Sequence, residues 1–506
     1  SVAVEIGQRH SPMDLPFHNG PNKGKDVFIP LENIIGGPEK AGQGWRMLME
    51  CLAAGRAISL PSSATAGAKA MLRVTSAYAR VRRQFGLPVG RMEGIEEPLA
   101  RIVETAYVNE AARGVTASMV SRGEKPSVIS ALMKYQTTER LRRAVNDAMD
   151  IHGGRAICDG PSNYLQSAYE MVPVGITVEG ANILTRTLIT FAQGALRSHP
   201  YLIREIQSAQ NPDGEKGLTD FEDAFLDHIA YTVSNMSGAF FHNVTFGMFA
   251  PAPDAVPDLK SHYRQLSRAS RNFAVVSDLT IATLGGGLKT KQKICGRLAD
   301  ALSELYFASC VLKRFEDEGR PAADKPIVDF AIANGLARFD EALAGVVQNF
   351  PVAPVRWKLR AVVFPFGRHY APAADKLGGT VAGLVLQPGE VRERLTRHIH
   401  ISKDVADPTG ILEVTLEKVV AAEDAEKKLE KAIRAGTVRR YHGIDWIGDA
   451  VTQNAITAEE GALLREVEAL VARVIAVDHF DPAELRPNYM KPGHNARAAD
   501  QAAAAE

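Results

Sequence analysis

Cysteine is scarce in this sequence of 506 residues, which contains only four. They are Cys51, Cys158, Cys295 and Cys310, and no two of them form a C-x-x-C pair. This indicates neither a cysteine zinc site nor a disulfide framework, and it is typical of a reducing compartment. An excess of charge is missing too, with 59 basic and 59 acidic residues. This balance argues against a nucleic-acid-binding surface, so we expect no nucleic-acid partner.

Long apolar runs are also missing. A membrane-spanning helix needs about 18 or more consecutive apolar residues, and the sequence contains no such run. The start, SVAVEIGQRHSPMD, lacks the charged and apolar regions of a signal peptide. We therefore expect a cytoplasmic protein that neither spans a membrane nor is exported.

Several common site motifs are absent or incomplete. The stretch LGGGLKTK (284–291) lacks the spacing of a P-loop, and a turn between helices explains it better. His398 and His400 in HIHIS have no third ligand nearby in the sequence, so we predict no metal site. A Ser/His/Asp triad cannot be assigned, because no G-x-S-x-G elbow occurs.

Helical periodicity dominates what is present. Short β-like pieces at 1–43 predict the end of a β domain. Helices predicted at 44–82, 94–121, 126–151 and 180–195 make an antiparallel bundle over 44–207, although Pro61 should kink or interrupt the first. Beyond the break QSAQNPDGEKG, helical segments predict a further domain at 218–486, followed by a flexible tail at 487–506. The predicted fold class is mainly α, with a remnant of a β domain.

One carboxylate, Glu179, interrupts the apolar run MVPVGITVEGANILTR (171–186). An ionised Glu beside apolar neighbours is costly to desolvate unless it is paired or functional. One interpretation places Glu179 in the first turn of a helix, where the macrodipole favours an acid. The other interpretation makes it a functional carboxylate, and this stretch alone leaves both open.

Three stretches favour the functional interpretation when they are read together: RRQFGLPVG (82–90), MDIHGGRAI (149–157) and VEGANILTR (178–186). Their order and separations resemble the C-terminal half of the acyl-CoA dehydrogenase family. Further segments, among them IIGGPEKAGQGWRMLMECLAAGR and FPFGRHYAPAADKL, resemble the large bacterial fatty acyl-CoA dehydrogenases of the FadE type. Those proteins carry an added C-terminal helical domain, and the resemblance covers nearly the whole chain.

The resemblance implies an enzyme that oxidises medium- or long-chain fatty acyl-CoA to trans-2-enoyl-CoA with FAD, the first step of fatty acid β-oxidation. It makes Glu179 the base that removes the α-proton, and Arg56 the arginine that faces this base. Some relatives place their base one position before that arginine. Gly55 occupies that position in this chain and cannot act as a base, so the resemblance leaves Glu179 as its one candidate for the base. Electron-transfer flavoprotein is the implied electron acceptor.

The resemblance also implies cofactor-binding residues. Arg82, Gln84 and Phe85 match residues that reach the adenosine diphosphate part of FAD in a neighbouring subunit, so we expect a homodimer. Gly153 and Gly154 would let the backbone approach the same cofactor closely.

Two positions depart from the family pattern but remain cofactor-binding candidates. Asp150 stands where Gln is usual, and it would accept from the adenine amino group. Ala181 stands where a Thr hydroxyl commonly meets the flavin, and it would contribute only its backbone.

The resemblance leaves alternatives open. The family's N-terminal helical domain and most of its β domain would precede Ser1, so we expect this chain alone to fold its helices yet hold FAD poorly. An acyl-CoA oxidase on the same fold would form hydrogen peroxide without a protein acceptor. A non-catalytic helical scaffold or fragment would keep the bundle without the chemistry.

The stretch VRWKLRAVVFPFGRHY (355–370) alternates basic and aromatic residues. One interpretation is a buried segment whose basic side chains extend to solvent. The other is a peripheral contact with an anionic surface at the inner face of the cell membrane. The sequence leaves both open.

Overall fold

The computed structural model describes residues 3–13, 19–194, 199–254, 256–441, 444–482 and 484. The described strands form two short antiparallel pairs, β1 (Val4–Ile6) with β2 (Asn22–Gly24) and β3 (Arg83–Gln84) with β4 (Leu87–Pro88). The prediction of a mainly helical fold with a short β segment at the beginning is confirmed. The tail predicted at 487–506 lies outside the described residues. In the part of the chain described, no helix is long and apolar enough to cross a bilayer.

The helices fall into an earlier and a later set. The earlier set is α1 (Gly44–Val81), α2 (Glu93–Ser121), α3 (Ser127–His152), α4 (Gly154–Ile157), α5 (Gln166–Thr177) and α6 (Asn182–Leu184), which continues as a π-helix over Thr185–Gln193. The later set is α7 (Leu202–Ala209), α8 (Gly214–Val244), α9 (Lys260–Leu284), α10 (Gln292–Asp317), α11 (Lys325–Gln348), α12 (Ala353–Val363), α13 (Asp375–Gly383), α14 (Glu390–Leu395), α15 (Pro408–Ala421), α16 (Glu423–Arg434), α17 (Trp446–Thr452) and α18 (Ala458–Ile475).

The longest helix, α1, runs for 38 residues and includes Pro61 without interruption. A proline within a helix removes one backbone hydrogen bond, and tertiary packing can outweigh that loss. Small side chains such as Ala57, Ala64 and Ala68 are buried along α1, which allows neighbouring helices to approach closely. The break considered at Pro61 is therefore absent, and α1 carries its residues on one continuous scaffold.

Two compact units divide the chain. The first comprises 1–151 and 167–401, and the second comprises 152–166 and 402–506. In the second unit, Arg155 Nε donates to the backbone oxygen of Val474 at 3.0 Å, and Asp478 accepts from the backbone nitrogen of Ser162 at 2.8 Å. The helices of this unit are thereby tied to the segment around 152–166. The domain boundaries proposed from the sequence remain predictions.

Buried ion pairs join the earlier and later helices within the first unit. Arg140 on α3 bonds to Glu304 on α10 at 2.8 Å. Arg338 on α11 bonds to Glu104 on α2 at 2.7 Å and to Glu304 at 3.1 Å. Removing one partner would leave an uncompensated buried charge, which is strongly destabilising. The network therefore fixes α10 and α11 against α2 and α3.

Candidate active site

Glu179 lies in the turn between α5 and α6. Its φ is +55° and that of Gly180 is +95°, so two successive residues adopt left-handed conformations. Such a conformation is uncommon for a residue other than glycine and is found where the surroundings impose it. The first turn of α6 contains no acid, and its N-cap is Ala181. The interpretation of Glu179 as a helix-start residue is therefore wrong.

The Glu179 carboxylate is partly buried and incompletely paired. Its Oε2 atom is shielded from solvent and has no hydrogen-bond partner among the described residues. A buried, unpaired carboxylate oxygen carries a desolvation cost that a purely structural role does not explain. The oxygen is instead available to accept a proton from a bound molecule.

Helix α1 brings Gly55 and Arg56 to this carboxylate. Arg56, which is 7% exposed, donates from Nε to the backbone oxygen of Glu179 at 2.7 Å. A Cβ atom at Gly55 would lie 3.4 Å from Glu179 Oε1. A side chain at position 55 would therefore contact the carboxylate, and glycine places none there. The pairing of Arg56 with Glu179 that the sequence predicts is present as a contact to the Glu179 backbone.

Gly180 is required by two independent features. Its φ of +95° strains any residue with a side chain, and a Cβ atom there would lie 3.2 Å from Arg56 Nη2. The hydroxyl of Thr185 also donates to the Gly180 backbone oxygen at 3.2 Å. Glycine thus lets the turn pack against the arginine.

Sequence reasoning missed Lys134, which lies on α3 and is completely buried. Its Nζ donates to the backbone oxygens of Ile176 at 3.0 Å and Gly180 at 2.8 Å, and to Asn182 Oδ1 at 2.7 Å. The available signal was a lysine inside the apolar stretch ALMKY. A buried lysine is rare unless it is paired, so a lysine in such a stretch indicates a buried partner.

Burial and neighbouring charges shift the pKa values of the two cationic side chains of the site, Lys134 and Arg56. Burial lowers the pKa of Lys134 to about 8; the charge of Glu179 opposes this, and Arg56 adds to it. Burial also lowers the pKa of Arg56, while the charge of Glu179 raises it. Glu179 is therefore the anionic partner that these two cations share.

The predicted adenosine-end residues lie where α1 ends. Arg82 follows the last residue of α1, and Gln84 and Phe85 belong to the β3–β4 hairpin. The Gln84 amide faces Arg82, and with its oxygen turned toward the guanidinium it accepts from Nε at 3.2 Å. Phe85 has a φ of +51° and is 95% exposed. Such an exposed ring at a hairpin tip suits contact with another molecule.

The other cofactor-binding candidates are at the protein surface. Asp150, near the end of α3, and Ala181 are exposed and belong to the first compact unit. Gly153 and Gly154 are exposed and belong to the second unit. Gly153 has a φ of +59°, so the backbone itself requires glycine there. Apart from the adjoining backbone, no described residue lies within 4 Å of the position that a Cβ atom at Gly154 would take, which is compatible with the close approach of a cofactor.

Three side chains place possible metal-ligand atoms within 4.8 Å of one another: His199, His228 and Asp278. Both ring nitrogens of His228 face carboxylates, Nδ1 at 2.7 Å from Glu205 and Nε2 at 2.8 Å from Asp278. Both ring nitrogens donate to these carboxylates when the ring is protonated, and the two carboxylates raise the pKa of His228. A metal would have to displace one of the two protons.

The ring of His199 is also engaged. Its Nδ1 accepts from the backbone nitrogens of Tyr201 and Leu202, each at 3.3 Å, so the neutral ring carries its proton on Nε2. That nitrogen is the one facing the cluster. The geometry favours a hydrogen-bonded network over a metal centre. His398 and His400 are exposed and stand apart from it.

Comparison with known proteins decides the family. Residues 196–480 match the family model described as acyl-CoA dehydrogenase, C-terminal, bacterial type, and residues 42–192 match acyl-CoA dehydrogenase, C-terminal domain. The chain belongs to the acyl-CoA dehydrogenase family. This confirms the resemblance found in the sequence, and the FadE type is consistent with the relatives found.

Two curated relatives show how far the similarity extends. Over 332 residues the chain is 25% identical to probable acyl-CoA dehydrogenase FadE10 of Mycobacterium tuberculosis, a match that covers 62% of the chain and 48% of FadE10. A stretch of 74 residues, 15% of the chain, is 61% identical to protein HemX of Proteus mirabilis and covers 44% of it. The chain thus spans about half the length of the curated relatives it matches.

A solved structure supports the fold. The acyl-CoA dehydrogenase from Bacillus anthracis, crystallised in complex with FAD, aligns with a TM-score of 0.56 at 16% identity. The alignment covers 76% of this chain and 63% of the Bacillus protein. At this level of identity the likeness establishes the shared fold.

Proposed function

We propose that the protein containing this chain catalyses the FAD-dependent α,β-dehydrogenation of fatty acyl-CoA, giving trans-2-enoyl-CoA in the first step of β-oxidation. The observation that carries the proposal is the Glu179 carboxylate, whose buried Oε2 has no partner within the described part of the chain and lies in a turn held by Arg56 and Lys134. Membership in the acyl-CoA dehydrogenase family supports the reaction class.

In this proposal Glu179 removes a proton from the carbon next to the thioester carbonyl. Exclusion of water strengthens a carboxylate as a base, and the Oε2 atom of Glu179 is shielded from solvent in this structure. The backbone N–H of Glu179 polarises the thioester carbonyl and acidifies the carbon. FAD, when bound, supplies the acceptor for the hydride that leaves the β-carbon. Gly55 leaves space beside the base for the acyl chain.

The residues present fit FAD in a homodimer. Arg82 lies 26 residues after Arg56 at the end of the continuous helix α1, which places it about 39 Å further along the axis. The hairpin that carries Phe85 therefore cannot serve the reactive end of a cofactor held at Glu179 of its own chain. In a dimer Arg82 would pair with the pyrophosphate of FAD in the neighbouring subunit, with Gln84 and Phe85 beside it. Asp150 and Ala181 remain proposed cofactor contacts of the first compact unit, and Gly153 and Gly154 remain proposed cofactor contacts of the second.

The segment 355–370 supplies the basis for a proposed membrane contact. Leu359, Val363 and Phe364 are buried, whereas Trp357 is 68% and Phe366 67% exposed. Phe366 stacks on the exposed ring of Phe246, with centroids 5.9 Å apart.

Basic side chains flank these rings. Lys358, Arg360 and Arg368 are exposed. Exposed aromatic rings with neighbouring basic groups suit an anionic membrane interface. We therefore keep the inner face of the cell membrane as the proposed location, and electron-transfer flavoprotein as the proposed electron acceptor.

The test of the proposed function is the flavin spectrum of the complete protein, followed under anaerobic conditions after addition of saturated acyl-CoAs of graded length. Bleaching by medium and long chains is the expected result. Hydrogen peroxide formed in air without a protein acceptor would favour the oxidase. No bleaching with any chain length, in protein with stoichiometric FAD, would favour the non-catalytic scaffold.

A further inference from the structure

Lys134 makes its three hydrogen bonds on both sides of Glu179. The backbone oxygen of Ile176 belongs to the last turn of α5, that of Gly180 follows the carboxylate, and Asn182 Oδ1 opens α6. An ammonium has three N–H donors, so Lys134 uses all of them on this one turn. A single side chain from α3 therefore joins the end of one helix, the turn and the start of the next.

The turn needs such an anchor because its backbone is strained. Glu179 at a φ of +55° occupies a region that costs about 1–3 kcal/mol and persists only when its surroundings fix it. Arg56 fixes the Glu179 oxygen at 2.7 Å, whereas Lys134 fixes the next oxygen, that of Gly180. Successive carbonyl groups are thus held from α1 and from α3, which leaves the peptide plane between them little freedom.

Asn182 extends the anchor. While its Oδ1 accepts from Lys134, its Nδ2 donates to Thr138 Oγ1 and Glu139 Oε1, each at 3.0 Å. Both of these acceptors lie on α3, one turn after Lys134. The start of α6 is thereby fastened to the same helix as the turn.

We propose that Lys134 is a positioning residue that holds the Glu179 carboxylate in the geometry for proton abstraction. This inference rests on the proposed dehydrogenase function. Its physical basis is that misplacing a reacting group by about 1 Å can lower a rate by about 10²-fold. Lys134 touches neither substrate nor cofactor in this account, and it acts through the backbone of the turn.

The first test compares Lys134→Met with Lys69→Met. Lys69 is a matched control because it is also a buried lysine, bonded to Glu110 at 3.1 Å and to the Arg397 backbone oxygen at 3.0 Å. It lies on α1, about 20 Å along the axis from Arg56. In the FAD-loaded complete protein, Lys134→Met should slow flavin reduction by acyl-CoA about 10- to 100-fold with little change in KM. Lys69→Met should keep the rate of the wild type.

Hydrogen exchange supplies a readout that does not depend on activity. Peptides covering 176–182 should exchange at least about 10-fold faster in Lys134→Met and remain unchanged in Lys69→Met. If the wild type reduces no flavin with any acyl-CoA, the proposed function fails. Hydrogen exchange of the 176–182 peptides then still decides whether Lys134 holds the turn. Equal exchange in the wild type and Lys134→Met, or an unchanged reduction rate, would overturn the inference.

The pH profile separates positioning from simple loss of stability. Three charged groups act on Lys134: Glu179 in the turn, Arg56 from α1 and Glu139 from α3. Burial lowers the pKa of Lys134 to about 8, and the neutral amine has one donor fewer, so one of the three oxygens then loses its hydrogen bond to Lys134. The reduction rate of the wild type should fall above about pH 8, and this decline should be absent in Lys134→Met. The same decline in both proteins would contradict the role.

A second variant covers the case in which Lys134→Met fails to fold. Asn182→Ala removes one of the three acceptors and keeps the lysine. It should lower the reduction rate about 3- to 10-fold and speed exchange in the same peptides, since one anchor of three is lost. A wild-type rate with unchanged exchange in folded Asn182→Ala would overturn the inference.

Discussion

The Nε atom of Arg56 donates a 2.7 Å hydrogen bond to the backbone oxygen of Glu179. The arginine thus holds the residue by its main chain, while no residue that the structure describes bonds to the side-chain atom Oε2. A bidentate ion pair would have lowered the basicity of the carboxylate, because an arginine that binds both oxygens stabilises the charged form. The observed contact positions the carboxylate and leaves an oxygen able to accept a proton.

The first prediction concerns Gly180→Ala. The new Cβ would lie 3.2 Å from Arg56 Nη2 on a residue whose φ is +95°. We expect the free energy of unfolding in urea to fall by about 1–3 kcal/mol. Gly175→Ala is the control, because its Cβ would meet only Thr138 Cγ2 at 3.7 Å inside α5. The control should leave the free energy of unfolding unchanged or raise it by up to about 1 kcal/mol. An equal fall in both variants would show that strain at position 180 is not the cause.

The second prediction moves the base from the turn to α1. A Cβ at Gly55 would lie 3.4 Å from Glu179 Oε1, so a carboxylate introduced there begins beside the present one. Glu179→Gly should lose at least about 10²-fold in flavin reduction, and adding Gly55→Glu should recover about 10-fold or more. Gly55→Gln with Glu179→Gly has nearly the same shape but no base, and it should recover nothing. Equal recovery in the Glu and Gln variants would show that shape, and not basicity, restores the rate.

Much of the scaffold could be predicted from the sequence, because helical periodicity is a local property. The helices expected at 94–121 and 126–151 match α2 and α3 to within one residue at each end. Helix α5 was missed because Pro173 and β-branched residues make its stretch look like an apolar run without helical period. Only the packing of α5 against the rest of the fold shows that the stretch is helical.

Those residues of the site that belong to a family motif could be predicted from the sequence. Glu179 and Arg56 followed from the family resemblance, and the structure brings them together. Lys134 could not be assigned, because its three partners lie 42 to 48 positions later in the chain and two of them are backbone oxygens. Such long-range contacts to the main chain leave little trace in the identities of the residues that accept them.

The third prediction concerns the membrane contact. Replacing Trp357 and Phe366 by Ala, both about two-thirds exposed, should weaken sedimentation with anionic vesicles. An Arg356/Lys358/Arg360 triple Ala variant should lose about 1 kcal/mol of binding for each exposed basic residue, and the loss should shrink in high salt. Neutral vesicles are the control. Equal binding of wild type and triple variant to anionic vesicles would argue against the contact.

The fourth prediction concerns the pH dependence of stability. Burial alone would lower the pKa of His228, but hydrogen bonds with Asp278 and Glu205 outweigh it, so the folded pKa is raised above about 6.5. Its contribution is then fully present below the unfolded pKa and is lost as pH rises through the folded value. The difference in free energy of unfolding between wild type and His228→Gln should be larger at pH 6 than at pH 9.

His242 is the matched control for this measurement. Burial, together with Arg271 and Arg268, lowers the pKa of His242, so the unfolded chain binds the extra proton first as pH falls. The difference between wild type and His242→Gln should therefore grow as pH rises toward about 6.5, opposite in sign to that of His228. If the difference in free energy of unfolding changed with pH in the same direction for both variants, this would contradict the two hydrogen bonds between His228 and its carboxylates.

The most direct measurement of the central claim is anaerobic flavin reduction by a saturating acyl-CoA in FAD-loaded Glu179→Gln. Gln keeps the shape of the side chain but cannot accept the α-proton, so the rate should fall by at least about 10²- to 10⁴-fold while FAD and acyl-CoA still bind. Glu170→Gln on α5 is the control and should reduce flavin like the wild type. A near-normal rate of flavin reduction in Glu179→Gln would remove Glu179 from the role of base.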